Sequence, residues 1–379
     1  MTRADAYIDS LELFGMRFGL DRMHALLAEL GHPEREFDAI HVVGTNGKGS
    51  TTLYAEALLL ADGIRTGAYL SPHLTSFRER IRIGGAEIGA RAYEDAVVRV
   101  ADAVGGGVTQ FEALTAAAFT AFAEAGVEWA VVEAGLGGRL DATNVLARSR
   151  VQVLTNVSLE HTELLGQTRE AIAAEKTAVV PEGGAVVIGE PGWEGFVPQA
   201  RTVRQVTVAS TYQDQNRAVA RAAVELALGR AVDATPMDAV RIPGRMEVRG
   251  TEPLEIWDGA HNAAGMRRLV AELPGLVGDR PCVAVFSTLG EKDVTGMVEL
   301  LRSVCPTIVA TQSTNSRALA ADTLGALTGG PAEPDPVRAR ARALELAGPS
   351  GAVVVCGSLY LLHDLTTRLA AGNPPAPVH

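Results

Sequence analysis

Residues 40–50 read IHVVGTNGKGS, and this stretch decides the fold. Ile40 to Val43 is a short apolar run of the kind that forms a buried strand, and a glycine-rich segment from Gly44 to Ser50 follows it directly. Helix-forming residues then continue to Ala61. Glycines let successive N–H groups face one anion, and a helix N-terminus adds a favourable dipole. The order of strand, loop and helix therefore predicts a phosphate-binding loop.

The loop departs from the common P-loop spacing. Val42 stands where the first glycine of that pattern would be, and Gly49 separates Lys48 from Ser50. We expect Lys48 to reach the terminal phosphates of a nucleotide, and Ser50 or Thr51 to offer a hydroxyl to Mg²⁺. The alternative is a glycine-rich turn that happens to contain a lysine. The predicted nucleotide-binding residues of the loop are Gly44, Thr45, Asn46, Gly47, Lys48, Gly49, Ser50 and Thr51.

Strands and helices alternate on both sides of this loop, as in a parallel sheet covered by helices. A second alternating series begins near residue 254, and 379 residues are long for one core. We predict an α/β protein with a P-loop-type parallel-sheet domain over residues 1–250 and a smaller Rossmann-like α/β domain over residues 251–379. The predicted strands are 40–43, 66–70, 127–133, 151–155, 185–188, 255–257, 282–286, 307–311 and 352–356, and the predicted helices include 50–61, 115–125 and 168–180.

Composition excludes several classes of partner. The net charge of -11 disfavours nucleic acid, although a local cluster of donors can still hold a small anion. No apolar run is long enough to span a bilayer, and the N-terminal residues lack the apolar core of a signal peptide. The three cysteines lack metal-binding spacing, which favours reduced thiols in a cytoplasmic protein.

Polar residues stand at or just after the carboxyl ends of the predicted strands. Ser71 follows the strand 66–70, Glu133 ends the strand 127–133, and His161 comes soon after the strand 151–155. Ligands of open α/β sheets bind outside these carboxyl ends, so the side chains are expected near the loop. We predict that Ser50, Ser71, Glu133 and His161 form a Mg²⁺ site. Taken singly, Glu133 could cap a helix and His161 could be a hydrogen-bonded loop histidine.

Lys176 shares a helix face with apolar residues and is therefore expected to point inward. A buried ammonium is costly unless it is paired, deprotonated or modified. Periodicity alone favours a lysine that reaches solvent, or one that pairs with a buried acid such as Glu133.

These segments resemble folylpolyglutamate synthases, within the wider superfamily of the Mur ligases. The resemblance covers nearly the whole chain, with motifs in the same order. It rests on residues 44–50, on Ser71-Pro72-His73-Leu74, on Glu79-Arg80-Ile81, on Glu133 with its glycine-rich continuation, on His161-Thr162-Glu163, on Glu175-Lys176, on Asp258-Gly259-Ala260-His261-Asn262 and on Gly357-Ser358-Leu359-Tyr360.

The resemblance implies a monomeric, ATP-dependent ligase that joins L-glutamate to dihydropteroate or folate through an acyl phosphate. It implies two Mg²⁺ ions and makes Lys176 similar to the family's N6-carboxylated lysine, whose negative charge helps to organise the second ion. Lys48, Lys176 and His261 would be catalytic. The remaining implied contacts are Asn216, Arg245 and Asp258 to ATP; Gly19, Leu20, Asp21, Arg22, Gln110, Phe111, Glu112, Leu140, Asp141 and Ala142 to the pterin; and His261 and Ser358 to glutamate.

Departures from the family pattern leave the substrate open. Thr177-Ala178 follows Lys176 in place of the usual Ala-Gly, and Glu160 replaces a common aspartate. One reading is a bifunctional enzyme that makes dihydrofolate and then extends the glutamate tail, which residues 19–22 favour. A second is a single-activity paralogue that acts on another carboxylic acid. The third is an ATP-binding switch protein that ligates nothing.

Overall fold

The computed structural model describes residues 2–11, 19–104, 107–208, 211–290 and 292–372. It divides into two units, Met1–Val240 and Arg241–His379. The first unit contains helices α1 (Arg3–Ser10), α2 (Asp21–Glu29), α3 (Lys48–Ala61), α4 (Ala90–Ala103), α5 (Gln110–Glu124), α6 (Thr162–Leu165), α7 (Arg169–Thr177) and α8 (Tyr212–Leu228). Its strands are β1 (Asp38–Val43), β2 (Thr66–Tyr69), β3 (Ile81–Ile83), β4 (Ala86–Glu87), β5 (Trp129–Glu133), β6 (Ser149–Leu154), β7 (Ala185–Ile188) and β8 (Thr202–Gln205).

The sheet of the first unit has the strand order β4-β3-β2-β5-β1-β6-β7-β8. All neighbours pair in parallel except β3 with β2 and β4 with β3, which are antiparallel at one edge. β1 is central and buried from Ala39 to Val43, as expected for a strand covered on both faces. Because β2, β5, β1 and β6 are four adjacent parallel strands, their carboxyl ends meet at one stretch of sheet edge. We call this stretch the ligand edge.

The largest core of the first unit lies under α5. Its Ala-rich surface lets the helix approach the sheet closely, and Phe119 and Phe122 pack edge-on against Phe37 with ring centroids 5.7 Å apart. A Cβ atom on Gly67 of β2 would lie 2.7 Å from the Phe122 ring, so this strand position has room only for glycine. Burial of each such ring contributes roughly 2–3 kcal/mol, which fixes β2 and β5 against α5.

The second unit contains β9 (Glu247–Thr251), β10 (Leu254–Trp257), α9 (Ala263–Val277), β11 (Cys282–Phe286), α10 (Val294–Arg302), β12 (Thr307–Ala310), α11 (Ala321–Thr328), α12 (Pro336–Ala347), β13 (Ala352–Cys356) and α13 (Leu359–Ala370). Its sheet order is β12-β11-β13-β10-β9, parallel except for β9. The units separate at Val240/Arg241 rather than at the predicted residue 250, because β9 pairs with β10 and so belongs to the second sheet.

The α/β fold class with two parallel-sheet domains is confirmed. The predicted strands are all present with small shifts at their ends, whereas β3, β4, β8 and β9 were not predicted. Helix α5 begins at Gln110 instead of residue 115, because Thr109 and Glu112 form a capping box there. Helix α7 ends at Thr177, three residues before the predicted end at residue 180. In the described ranges, no helix is long and apolar enough to cross a membrane.

Candidate functional site

The loop between β1 and α3 is held against the segment that follows β6. The N–H groups of Thr45 and Asn46 donate to the backbone and side-chain oxygens of Asn156, at 3.0 and 3.1 Å. In return, the side chains of Thr155 and Asn156 each donate to the Asn46 carbonyl over 2.7 Å. The loop therefore has one fixed conformation, with its backbone supported from the neighbouring strand.

Two glycines make this close contact possible. Gly44 has φ +147° and Gly47 has φ +85°, both outside the range that other residues readily adopt. A Cβ on Gly44 would lie 1.9 Å from Oγ1 of Thr155, and one on Gly47 would lie 2.4 Å from Oδ1 of Asn216. Asn216, on α8, is buried and so stands directly beside the loop, as its predicted nucleotide contact requires.

Helix α3 begins at Lys48, and its first intrahelical acceptor, the Gly47 carbonyl, bonds the N–H of Thr51 over 2.9 Å. The preceding N–H groups, of Lys48, Gly49 and Ser50, lie before the helical ladder in the first turn of a helix that begins just beyond the carboxyl end of β1. They and the helix dipole favour an anion at this position. The predicted phosphate-binding loop thus has the backbone geometry of one.

Lys48 and Glu133 are neighbours at the ligand edge. The Lys48 ammonium donates to the carbonyls of Gly44 and Thr45 at 3.1 and 3.4 Å, and it lies 4.0 Å from Oε1 of Glu133. Glu133 is buried at the end of β5, and its Oε2 accepts the N–H of Ser71 over 3.0 Å. The structure therefore brings together three predicted site residues that are up to 85 positions apart in the sequence (133 − 48).

The donors near Glu133 suit a hard divalent cation. Thr51 is fully buried and its Oγ1 has no hydrogen-bond partner among the described residues, while Ser50 precedes it on the same turn. His161 is exposed and is the N-cap residue of α6 with φ +45°, and it acts electrostatically on the neighbouring Glu160. Nowhere in the described ranges do three His, Cys, Asp or Glu side chains cluster as a metal cage. One carboxylate with hydroxyls, water and nucleotide oxygens is the set that Mg²⁺ accepts.

Lys176 points inward, as predicted. It is 1% exposed, and its ammonium donates to Oε1 of Glu160 and to the Gly44 carbonyl, each over 3.0 Å. The acid suggested from periodicity, Glu133, is not its partner: the loop after β6 carries Glu160 to that place. Burial lowers the pKa of Lys176 despite the attraction of Glu160, and the nearby Lys48 lowers it further. Burial opposes ionisation of Glu160, but the two lysines outweigh it and lower the pKa of that carboxyl.

Gly137 and Gly138, which follow β5, allow α7 to lie close to the ligand edge. The segment after β5 passes so near to α7 that a Cβ on Gly138 would lie 2.7 Å from the Lys176 carbonyl oxygen. Arg139 continues this contact, since its N–H donates to the Glu175 carbonyl and its side chain pairs with the Glu175 carboxylate, both at 3.1 Å. The glycine-rich continuation of Glu133 is therefore what allows Lys176 to reach the loop.

The residues predicted to contact the pterin gather around the start of α5. Arg22 on α2 pairs with Glu112 over 2.9 Å, and Glu112 also accepts the Thr109 N–H at 2.8 Å. Gln110 donates to the Ile8 carbonyl over 3.1 Å, which ties α1 to this group. Asp21 begins α2, after Gly19 with φ +129° and Leu20 at the N-cap position.

A second part of the predicted pterin pocket follows β5. The ring of Phe111 packs on Gly135, where a Cβ would lie 2.6 Å away, and its centroid is 5.9 Å from that of Tyr69. Asp141 is buried, as is Ala142, whereas Leu140 is 42% exposed. Burial raises the pKa of Asp141, while hydrogen bonds from Thr143 and from backbone N–H groups oppose that change.

The predicted residues of the second unit form a separate group at the carboxyl ends of β10 and β13. Asp258 is buried and accepts the N–H groups of Met246 and Ala260, each at 2.8 Å. The Arg245 guanidinium lies against Gly259, where a Cβ would be 3.1 Å from its Nη1. His261 contacts the Gly259 carbonyl through Nδ1 at 2.9 Å.

Ser358 caps α13 by accepting the N–H of Tyr360 over 3.1 Å. The adjacent Gly357 donates its N–H to the Ala260 carbonyl at 3.0 Å, so the loops after β10 and β13 are joined. These contacts place Ser358 and the segment 258–261 in one cluster within the second unit.

Sequence reasoning missed three residues of the first unit: Glu160, His41 and Thr143. The Nε2 atom of His41, within β1, lies 2.8 Å from Oγ1 of Thr143, which donates to Asp141 over 2.5 Å. The available signal was a histidine inside the apolar run 40–43. The sequence signal for Glu160 was weaker: it is an acidic residue directly before His161, a predicted metal ligand.

Comparison with known proteins matches both units. Residues 42–238 match the Mur ligase middle domain, and residues 244–359 match the glutamate ligase domain of Mur ligases. A dihydrofolate synthase/folylpolyglutamate synthase of Mycobacterium tuberculosis is 34% identical, over 84% of this chain and 79% of that protein. The chain belongs to the dihydrofolate synthase/folylpolyglutamate synthase family.

Solved structures of this family have the same fold. Escherichia coli FolC in complex with DHPP and ADP superposes with a TM-score of 0.89 at 27% identity, over 97% of each chain. A bifunctional folylpolyglutamate synthase/dihydrofolate synthase with Mn, AMPPNP and L-glutamate bound also gives 0.89, at 28% identity over 98% of each chain. The resemblance drawn from the sequence motifs is therefore confirmed.

Proposed function

We propose that this protein is an ATP-dependent ligase that joins L-glutamate to dihydropteroate, to a reduced folate, or to both. The observation that carries the proposal is the ligand edge, where the N-terminus of α3, Lys48 and the Glu133 carboxylate lie together. Membership of the family supports it, as do the relatives that hold ADP, AMPPNP, DHPP or L-glutamate.

In the proposed reaction the substrate carboxylate takes the γ-phosphoryl group of ATP, giving an acyl phosphate and ADP. The amine of glutamate then attacks the acyl carbon, a proton leaves the amine, and phosphate departs. The loop N–H groups and Lys48 would hold the phosphates and stabilise the charge that spreads over their oxygens. Asn216 would add a contact to the nucleotide from α8. For Arg245 and Asp258 we propose contacts to ATP, and for His261 and Ser358 contacts to glutamate.

We propose Mg²⁺ as the metal, held by Glu133 with the hydroxyls of Ser50 and Ser71 and with His161. The oxygen-rich donor set and the single carboxylate support this assignment, as does the position of Glu133 beside the first turn of α3, where a Cβ on Gly49 would lie 3.2 Å from its Oε2. When bound, the ion would neutralise phosphate charge and polarise the transferred group. Glu133 is held ready for it, because the Ser71 N–H fixes the direction of one carboxylate oxygen.

We also propose that Lys176 becomes N6-carboxylated and so contributes to a second Mg²⁺ site. Carboxylation requires the neutral amine, and burial lowers the pKa of Lys176 and favours that form. The modified group would be an anion beside Glu160, so it would need a cation for balance. Intact mass in bicarbonate buffer tests this, since an unmodified lysine in the Mg²⁺-loaded protein would refute it.

The first experiment is ADP release by the purified protein with MgATP and L-glutamate, adding dihydropteroate or tetrahydrofolate in turn, with product masses checked. Turnover with both acids is expected from a bifunctional enzyme, and turnover with one assigns a single activity. A rate of ATP hydrolysis that depends on neither acid nor on glutamate would instead indicate a switch protein. We further propose that the protein is a cytoplasmic monomer. The three buried, unbridged cysteines support the cytoplasmic location, because disulfides are rare in that compartment.

A further inference from the structure

A buried hydrogen-bonded chain runs from the centre of the first sheet to the predicted pterin pocket. His41 in β1 is 1% exposed, and its Nε2 lies 2.8 Å from Oγ1 of Thr143. That hydroxyl lies 2.5 Å from Oδ1 of Asp141. A histidine in a central strand is costly to bury, because an apolar side chain would fill the same space without a polar group to satisfy.

The direction of these bonds follows from the donors available. A hydroxyl has one proton, and an ionised carboxylate can only accept, so Thr143 donates to Asp141. Thr143 must then accept from His41, which therefore carries its proton on Nε2. Burial lowers the pKa of His41 to about 4, so the ring is neutral near pH 7 and donates as a neutral group.

The turn around Asp141 has enough support without the histidine. Asp141 already accepts the N–H groups of Leu136 and Thr143, at 2.8 and 3.0 Å, and its carbonyl accepts the N–H of Asn144 at 2.8 Å. The hydrogen bond from His41 therefore orients the Thr143 hydroxyl that donates to the carboxylate, and the backbone turn does not depend on it.

The surroundings of Asp141 suit a flat ring with N–H donors. The partly exposed ring of Phe111 offers aromatic surface, and the fully buried ring of Tyr69 packs against it with ring centroids 5.9 Å apart. Asp141 also interacts electrostatically with Tyr69 and with Lys176. The aminopyrimidinone edge of a pterin carries N–H donors. Oδ1 of Asp141 already accepts two hydrogen bonds from Thr143 and Oδ2 accepts one from Leu136, so Oδ2 retains the capacity to accept one such N–H.

We propose that His41 and Thr143 are positioning residues for the acid substrate: they hold the Asp141 carboxylate as an oriented acceptor for one N–H group of a pterin ring. This inference rests on the proposed function and deepens it, because it names what prepares the substrate contact. It predicts that the two residues act in series, so that loss of either removes the same contribution.

The test is steady-state kinetics of the full chain with dihydropteroate, MgATP and L-glutamate. Thr143→Val and His41→Leu remove the two donors, whereas Thr143→Ser and His41→Gln retain a hydroxyl and an N–H donor. The matched control is Thr120→Val, which deletes another buried hydroxyl of the same unit that bonds only the Ala116 carbonyl, at 2.9 Å. Melting temperatures are recorded for every variant.

We expect Thr143→Val to raise KM for dihydropteroate by roughly 10-fold, in line with loss of a hydrogen bond to a charged group, and His41→Leu to raise it by roughly 5-fold, because its bond to Thr143 joins two neutral groups. KM for MgATP should stay within about 2-fold, and the double variant should be no worse than the poorer single variant by more than about 2-fold. Thr143→Ser and His41→Gln should remain close to the unsubstituted protein.

Equal changes in all three KM values, multiplied effects in the double variant, or a change in Thr120→Val as large as in Thr143→Val would overturn the inference. If Thr143→Val does not fold, the pair His41→Leu and His41→Gln makes the same comparison. Absence of turnover by the unsubstituted protein would refute the proposed function, and this inference with it. Normal turnover with unaffected variants would refute the inference alone.

Discussion

The two units bury charge beside their predicted sites in different ways. In the first unit, the Lys176 ammonium is balanced by one side chain, Glu160, and the Asp141 carboxylate is reached from His41 through a single hydroxyl. In the second unit, Asp258 is held by two backbone N–H groups. Glu255 there accepts hydrogen bonds from Nε and Nη2 of Arg340 and from the Trp257 indole N–H, each at 2.6 Å.

This difference suggests that buried charges have a catalytic role in the first unit and a structural role in the second. Asp141 in the first unit also accepts two backbone N–H groups, but Glu160 and His41 are titratable side chains that can change protonation or be displaced by a ligand. Backbone donors and a guanidinium keep their protons at all relevant pH values. We therefore expect substitutions in the first unit to alter catalysis and pH dependence, and those in the second unit to alter stability alone where they lie away from the predicted contacts.

The largest effect is expected from Lys48→Ala. Removal of the ammonium takes away a donor for the phosphates, and loss of one such donor costs roughly 100- to 1000-fold in turnover. The side chain is 16% exposed, and the Gly44 carbonyl that it bonds keeps a second donor, the Lys176 ammonium, so the melting temperature should change little. Turnover is measured as ADP release.

The matched control for Lys48→Ala is Arg249→Ala in the second unit. Arg249 pairs with Glu247 over 2.8 Å and stacks on Trp257. Its replacement by alanine should leave turnover unchanged. Unfolding of the Lys48 variant, or retained turnover, would mean that the loop does not bind phosphate.

The sequence predicted the parts of the ligand edge that depend on local pattern. Residues 40–50 indicated strand, loop and helix, and helical spacing indicated that Lys176 faces inward. The partner of Lys176 could not be predicted, because Glu160 lies in an irregular segment whose path depends on tertiary contacts. Prediction also missed strands such as β8, which is exposed along most of its length and so lacks an apolar pattern.

The next effect concerns the charge balance of Lys176. Glu160→Gln leaves a buried ammonium with an uncharged partner, and breaking a buried ion pair costs about 3 kcal/mol in free energy of unfolding. Because Glu160 raises the pKa of Lys176, its removal should lower that pKa further. Chemical denaturation measures the free energy of unfolding.

The double variant Glu160→Gln/Lys176→Met distinguishes charge from packing. It should recover part of the lost stability, because the uncompensated ammonium is gone. A double variant that is less stable than Glu160→Gln would contradict the view that the buried charge is the cause.

A smaller loss of stability is expected in the second unit from Arg340→Met. The side chain of Arg340 is 24% exposed, so water compensates in part and the cost should be about 2 kcal/mol. KM for MgATP and turnover should not change, because neither Arg340 nor Glu255 is among the predicted contacts. A tenfold change in turnover or in KM for MgATP would contradict the expectation that such substitutions in the second unit affect stability alone.

The smallest effect is a pH dependence that comes from His41. The folded protein protonates this ring only below about pH 4, whereas the unfolded chain does so below its ordinary value of 6.5. Unfolding therefore takes up a proton between these pH values, and the free energy of unfolding falls as the pH falls through this range. Between pH 7.5 and 5.5, His41 should account for about 1 kcal/mol of lost stability. His41→Gln, which cannot titrate, should lose that much less than the unsubstituted protein over the same interval. If the free energy of unfolding falls equally for the two proteins over this interval, then His41 takes up its proton as readily in the folded protein as in the unfolded chain, and the lowered pKa inferred from its burial would be wrong.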